Sequence, residues 1–302
     1  MSHAQRTVKR ITTALIPAAG MGKRLYPRTR HCPKCLVNVH DKPLLQHAID
    51  ALEANGYKRL VIITGHRHRQ IASYIQRCDT RMDIHAVYND RFKTTNNIYT
   101  LWLAGQWIRE PFLLLESDLI FDPEAIASLS RPDTIALDRF DPCIHNGTTA
   151  TITSGNQLAS LNLSNGTCCS NSSFNSNLYK TGLCKTEHYK TAIYKTVNMY
   201  SFSLTTWDKL QQALKSRLDE GHVHAYYELA IRDLVRTGQI KLEMADFSNH
   251  WWDEIDCIED LTRVEQHINR RNRLITQPDA SMYRVNRSSS RFVQNTAFAT
   301  NP

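Results

Sequence analysis

The sequence predicts an α/β fold, Rossmann-like, in which a mostly parallel central sheet is flanked by helices. Short apolar runs typical of buried strands alternate with segments of helical spacing. A glycine-containing loop leaves the carboxyl end of the first of these strands. Strands that alternate with helices in this way pair in parallel and are covered on both faces.

The first predicted strand is Ala14 to Ala19, which ends at the turn containing Gly20 and Gly22. A helix follows over residues 42–55, where apolar side chains recur every three or four positions. Residues 59–64 form the second predicted strand. The later elements are predicted as helix 67–77, strand 84–88, helix 97–108, strand 112–116, a helix capped by Asp122-Pro123, strand 134–137, helices 206–218 and 225–235, strand 240–244 and helix 258–271.

One main domain is predicted over residues 11–275, between a polar leader at 1–10 and a flexible tail at 276–302. The chain has 302 residues, 41% of them hydrophobic, which is enough for a substantial core. Residues 141–194 are rich in Asn, Ser, Thr and Gly and contain short alternating pieces, so we expect an antiparallel excursion or lid there. Its tip is predicted to be flexible at 164–177.

Composition narrows the class of protein. No run of 18 apolar residues and no signal-peptide pattern is visible, so a cytoplasmic location with reduced cysteines is the expectation. The formal net charge of +8 suits a polyanionic ligand, either nucleic acid or a nucleotide triphosphate. No RNA-recognition signature is present, which argues against nucleic acid.

The strongest functional motif is the loop after the first strand. Glycines let backbone N–H groups approach phosphate oxygens, and the basic residues that follow would neutralise them. Gly22-Lys23 is followed by Arg24 rather than Ser or Thr, so the loop is not a Walker loop, and it lacks the third glycine of a dinucleotide fingerprint. The loop and its companion residue are Ala18, Ala19, Gly20, Met21, Gly22, Lys23, Arg24 and, ten residues later, Lys34.

Two carboxylates complete the predicted centre. Asp118 directly follows an apolar strand, at the sheet edge where ligands of open α/β sheets collect. Asp256 belongs to a late acidic cluster beside Trp251 and Trp252.

These motifs, in this order, resemble the nucleotidyltransferase superfamily with the glycosyltransferase-A-like fold. The stretches Asn96 to Ala104, Lys195 to Tyr200, Tyr226 to Glu228 and Trp252 to Asp256 are similar to the branch that contains phosphocholine and phosphonate cytidylyltransferases. The resemblance runs from about Ala14 to His267, most of the chain.

The resemblance implies a CTP-dependent enzyme that transfers CMP to a small phosphonate or phosphate and releases pyrophosphate. It implies Mg²⁺ bound by Asp118 and Asp256. 2-Aminoethylphosphonate and phosphocholine are the favoured acceptors. The residues implied in catalysis are Lys34, Lys23 and Arg24, and those implied in holding the acceptor are Lys195, Tyr227, Glu228 and Trp252.

Two assignments stay open. Asn96 and Asn97 either contact the base or ribose or act as a helix cap. The function could also be that of a sugar-1-phosphate nucleotidyltransferase or, in another class, of a catalytically silent nucleotide sensor or scaffold. The sequence indicates neither a nucleic-acid nor a membrane partner and leaves self-association open.

Overall fold

The computed structural model describes residues 10–142, 145, 147–163, 183–186 and 189–276. The loop tip at 164–177 and nearly all of the predicted leader and tail lie outside these residues. The strands are β1 Thr13–Ala18, β2 Asn38–Val39, β3 Lys42–Pro43, β4 Arg59–Thr64, β5 Asp83–Tyr88, β6 Phe112–Leu115, β7 Leu119–Phe121, β8 Thr134–Arg139, β9 Thr149–Ile152, β10 Leu158–Asn162, β11 Leu183–Thr186, β12 Tyr189–Phe202, β13 Glu243–Asp246 and β14 Trp252–Glu254. The α-helices are α1 Leu44–Ala54, α2 His68–Ile75, α3 Asn97–Leu103, α4 Leu204–Asp219, α5 Glu228–Arg236 and α6 Ile258–Thr276.

A mixed sheet with a parallel centre organises the described residues. Strand β1 lies between β4 and β6 and is parallel to both, and β5 extends the parallel part beyond β4. The long strand β12 pairs antiparallel with β6, and then with β8 and β9. The predicted α/β class is therefore confirmed, and the antiparallel excursion is continuous with the main sheet.

Alternate side chains of the central strand enter two different cores. Ala14 and Ile16 of β1 pack on the face covered by α1, whereas Leu15 packs on the face covered by α3, α4 and α5. Every residue of β1 is buried, as expected for a strand covered on both sides. The central strands thus form a rigid platform whose carboxyl ends carry the loops described below.

A third, smaller core joins the two distant parts of the chain that matter most for function. Leu25 and Val37, from the loops after β1, pack with Ile120, Ile255 and Val264. This core fixes α6 and the β7/β14 ribbon against the loop region. Within the described residues, every helix is too short or too polar to span a bilayer.

Three predicted elements differ in detail. The strand predicted at 240–244 corresponds to β13, but β13 starts only at Glu243, where pairing with β8 begins. Ile240 and Leu242 lie before this strand and are buried against the helices. The segment after Asp122 is a 3₁₀ helix over Pro123–Leu129 without a side-chain cap. The helix predicted at 97–108 is α-helical only to Leu103 and continues as a 3₁₀ turn.

Candidate active site

The loop after β1 is shaped by one glycine with a left-handed backbone. Gly22 has φ of 58° and precedes a short 3₁₀ helix over Lys23–Leu25. Its carbonyl accepts a 2.7 Å hydrogen bond from the Thr29 hydroxyl, which closes the loop on itself. A Cβ at this position would lie 3.0 Å from the Cβ of Lys34, so glycine also allows the stem of Lys34 to approach.

Lys34 bridges the two carboxylates that the sequence analysis singled out. Its Nζ lies 2.7 Å from Oδ2 of Asp118 and 2.7 Å from Oδ1 of Asp256, which are 84 and 222 positions away along the chain. Arg24 adds a second cation, with Nη2 2.8 Å from the same oxygen of Asp256. Burial alone would lower the pKa of Lys34, but the two carboxylates outweigh it and hold that pKa above its ordinary value.

Strand pairing explains why these distant carboxylates meet. Strands β7 and β14 form an antiparallel ribbon in which Leu119 is opposite Glu254, and the Ile255 N–H donates to the Asp118 carbonyl at 3.0 Å. Asp118 precedes β7 and Asp256 follows β14, so the ribbon places both side chains at the same end.

The start of α6 fixes the loop that carries Asp256. Asp260 Oδ2 accepts the backbone N–H groups of Asp256 and Cys257, each at 2.9 Å. Arg263 donates to both carboxylate oxygens of Asp253 and also pairs with Asp260 at 2.9 Å. This arrangement satisfies N–H groups at the helix start that would otherwise lack acceptors.

A cavity of about 390 Å³ opens beside this cluster. It extends from the glycine loop across the ends of β1 and β6 to the start of α3. All the predicted nucleotide-binding residues except Met21 line it. Its described lining consists of Pro17, Ala18, Ala19, Gly20, Gly22, Lys23, Arg24, Lys34, Cys35, Phe92, Thr95, Asn96, Asn97, Thr100, Glu116, Ser117, Asp118, Tyr226 and Asp256.

Of the two roles left open by the sequence, the structure shows a helix cap for Asn96, and contact with the base or ribose stays a prediction. The Asn96 side-chain oxygen accepts the Asn97 N–H at 2.8 Å and caps α3. The Asn97 amide oxygen accepts the Tyr227 N–H at 3.0 Å, and its nitrogen lies 3.4 Å from Glu228. Both asparagines are therefore structural, and both also line the cavity.

The predicted acceptor residues lie in a more deeply buried layer beside the cavity. Tyr227 is fully buried, and its hydroxyl donates to Glu116 at 2.7 Å. Lys195 is also buried; its Nζ donates to the Thr196 carbonyl at 2.6 Å and lies 3.6 Å from Glu254.

Trp252 belongs to the same layer but is only half-buried. The Lys195 ammonium lies 5.6 Å from the centre of its ring, within the range of a cation–π contact. The indole N–H donates to Asp138 at 2.8 Å, which fixes the ring orientation. The Trp252 ring, which was predicted to hold a cation of the acceptor, thus contacts a lysine of the chain itself.

Three acidic residues lie in this layer, namely Glu116, Glu228 and Glu254. Burial raises the pKa of Glu228 to about 7, and burial also raises the pKa of Glu116 and of Glu254. The negative charges of Asp118 and Glu228 raise the pKa of Glu116 further. The positive charge of Lys195 lowers the pKa of Glu228 and of Glu254, and a positively charged ligand group would likewise favour their ionised forms.

Sequence reasoning missed Glu116 and did not assign a role to Glu254. Glu116 directly follows β6, so the signal that identified Asp118, a carboxylate at the end of a buried strand, also applied to it. Glu254 was visible only as part of an acidic cluster. Its contact with the Asn198 amide depends on the pairing of strands far apart in sequence.

The donor set fits Mg²⁺, which the resemblance implies. Asp118 and Asp256 supply anionic oxygens that converge on one cationic group, here the ammonium of Lys34. Mg²⁺ takes oxygen ligands and is commonly held by one or two carboxylates together with phosphates and water. No cluster of three or more His, Cys, Asp or Glu side chains suited to a metal is found in the part of the chain that the structure describes.

Comparison with known proteins agrees with this geometry. The family model described as "Nucleotidyl transferase" matches residues 13–133, the stretch that carries the glycine loop, Lys34 and Asp118. The chain carries a nucleotidyl transferase domain. The resemblance inferred from the sequence motifs is confirmed for this domain.

Two curated relatives act on small phosphorus compounds, according to their names. The nucleotidyl transferase domain is similar to a choline-phosphate cytidylyltransferase of Streptococcus pneumoniae, with 30% identity over 42% of this chain and 54% of that protein. It is also similar to a CMP-5'-(3-aminopropyl)phosphonate synthase of Streptomyces rubellomurinus, with 31% identity over 42% of this chain and 20% of that protein. The matched region thus spans about half or less of these relatives.

A solved structure extends the comparison of folds beyond the nucleotidyl transferase domain. The structure of a CTP:phosphocholine cytidylyltransferase from Streptococcus pneumoniae aligns with a TM-score of 0.66 over 86% of this chain and 100% of that chain. Sequence identity in this alignment is 19%, so the likeness concerns the fold.

Proposed function

We propose that the chain is a cytidylyltransferase that transfers CMP from CTP to a small phosphonate or phosphate and releases pyrophosphate. The observation that carries the proposal is the contact of Lys34 with both Asp118 and Asp256 beside a cavity lined by the glycine loop. Such a site combines positive charge for a triphosphate with carboxylates for a divalent cation. The names of the two curated relatives support CTP as the donor.

The chemistry assigned to the chain's residues is positioning and charge neutralisation. An oxygen of the acceptor phosphonate or phosphate attacks the α-phosphorus of CTP, and the bond to the pyrophosphate oxygen breaks in line. Lys34 offsets the charge that develops on the α-phosphate, while backbone N–H groups of the glycine loop, with Lys23 and Arg24, hold the β- and γ-phosphates. Mg²⁺ held by Asp118 and Asp256 would supply further charge neutralisation.

The acidic layer supports an acceptor that carries an amine. Glu228 and Glu254 lie near Lys195, and Glu116 lies near both glutamates, so a ligand ammonium would stabilise the ionised carboxylates in this buried layer. We propose that Glu228 contacts this ammonium and that Lys195 orients the phosphonate end. 2-Aminoethylphosphonate and phosphocholine both have this combination of charges.

A panel assay tests the donor and acceptor together. Pyrophosphate release is measured with each of the four nucleoside triphosphates against 2-aminoethylphosphonate, phosphocholine, phosphoethanolamine, glycerol phosphate and several sugar 1-phosphates. Turnover with CTP and an amine-bearing acceptor is the expected result. Turnover with sugar 1-phosphates alone would contradict the proposal and indicate a sugar-1-phosphate nucleotidyltransferase. A folded protein without turnover on any of these acceptors would favour a catalytically silent nucleotide sensor or scaffold.

A further inference from the structure

The ammonium of Lys34 and a divalent cation held by Asp118 and Asp256 would share the same two carboxylates. Lys34 Nζ contacts Asp118 Oδ2 and Asp256 Oδ1 at 2.7 Å each, and its side chain is only 13% exposed. Mg²⁺ binds oxygen at about 2.0–2.1 Å. Two cationic groups sharing these oxygens would lie within a few ångströms of each other, where like charges repel strongly. A cation can bind here only after the ammonium has moved.

A triphosphate bound at the glycine loop would give Lys34 a second anionic partner within its reach. The stem of Lys34 lies against Gly22, since a Cβ built on Gly22 would be 3.0 Å from its Cβ and 3.4 Å from its Cγ. Lys34 and the loop line the same cavity, and a lysine ammonium on its four-carbon stem can turn without moving the backbone. Triphosphate oxygens bound at the loop would therefore attract it away from the carboxylates.

We propose that Lys34 is an exchangeable counter-ion that sets the order of binding. Its ammonium pairs with Asp118 and Asp256 until a nucleotide triphosphate draws it away, and the released carboxylates then accept the divalent cation. Nucleotide and cation consequently bind with positive cooperativity. The inference rests on the proposed function for the identity of the anion, but the masking of the carboxylates by Lys34 is independent of it.

Manganese binding to the full chain without nucleotide tests the masking directly. Mn²⁺ replaces Mg²⁺ as a probe because the electron paramagnetic resonance signal of free Mn²⁺ reports the bound fraction. Removing the ammonium in Lys34→Met takes away the lysine partner of Asp118 and leaves Asp256 paired with Arg24, so we expect this variant to bind Mn²⁺ at least about tenfold more tightly than the wild type. Adding Asp118→Asn to Lys34→Met is expected to abolish the gain.

A matched lysine controls for net charge. Lys42 pairs with Asp50 on the surface, away from the cavity, so Lys42→Met should leave Mn²⁺ affinity unchanged. Equal Mn²⁺ affinity of the wild type and Lys34→Met, with both proteins folded, would overturn the proposal.

A second comparison avoids any change at Lys34, in case Lys34→Met does not fold. Because Lys34 masks the site, the wild type and Asp118→Asn should bind Mn²⁺ equally weakly without nucleotide. Tighter binding by the wild type than by Asp118→Asn would show that the carboxylates are already accessible, and would overturn the proposal. Neither titration depends on turnover, so its outcome is separate from that of the acceptor panel.

Discussion

Glu228 is the residue whose protonation is most informative about the acceptor. Burial raises its pKa to about 7, and the groups around it are Asn97, Glu254 and Lys195. Its ionised form prevails above that pH and is lost below it. If Glu228 binds an acceptor ammonium, acceptor affinity must increase as pH rises through about 7.

We therefore predict that the KM for 2-aminoethylphosphonate is about tenfold higher near pH 6 than near pH 8 on account of Glu228 alone. Glu228→Gln should raise KM near pH 8 and flatten this part of the profile. The acceptor itself titrates identically with both proteins, so the difference between the two profiles isolates Glu228. Superimposable profiles would remove Glu228 from the acceptor site.

Gly22 illustrates how one backbone conformation shapes the nucleotide loop. Gly22→Ala forces a side chain into a left-handed conformation and against Lys34, so we predict a loss of about 1–2 kcal/mol in the free energy of unfolding. Gly20→Ala is the matched control because a Cβ there has open space around it. Urea denaturation measures both, and an equal loss in the two variants would contradict this explanation of the loop.

At the scale of elements, the start of α6 determines where Asp256 lies. Asp260→Ala removes the acceptor of two backbone N–H groups, so we predict destabilisation by about 1–2 kcal/mol together with a higher Mn²⁺ requirement for turnover. Asp260→Asn keeps an oxygen acceptor and should restore most of both properties.

The neighbouring Glu259 provides the control for charge at this helix start. It is exposed, and Glu259→Ala should change stability by no more than about 0.5 kcal/mol. Chemical denaturation and metal titration of turnover measure the three variants. An unchanged metal requirement in Asp260→Ala would limit Asp260 to a structural role.

The elements also show what sequence patterns can and cannot predict. The central strands and most helices were predictable because their apolar spacing is local, as in β1, whose residues are all buried. The start of β13 was missed because Ile240 and Leu242 are apolar for a different reason, namely burial against helices. Periodicity alone does not distinguish these two environments.

Over the whole molecule, the site depends on contacts between distant segments. The sequence identified Lys34, Asp118 and Asp256 as separate candidates, through local motifs and through resemblance. Their meeting at 2.7 Å depends on the pairing of β7 with β14 and on the third core, which no local pattern encodes. The burial of Lys195 and Tyr227 was equally hidden, since Lys195 lies on β12 between β8 and β9, and Tyr227 packs in the core beneath the helices.

We propose that Lys34, Asp118 and Asp256 together form a centre for cytidylyl transfer. The most direct test is the rate of pyrophosphate release from CTP and 2-aminoethylphosphonate in Asp118→Ala and Asp256→Ala, compared with Asp50→Ala, which changes a surface carboxylate outside the cavity. We predict that the rate falls about a thousandfold or more in the first two variants, with the fold retained, and stays near normal in the third. Near-normal turnover in Asp118→Ala or Asp256→Ala would contradict this proposal.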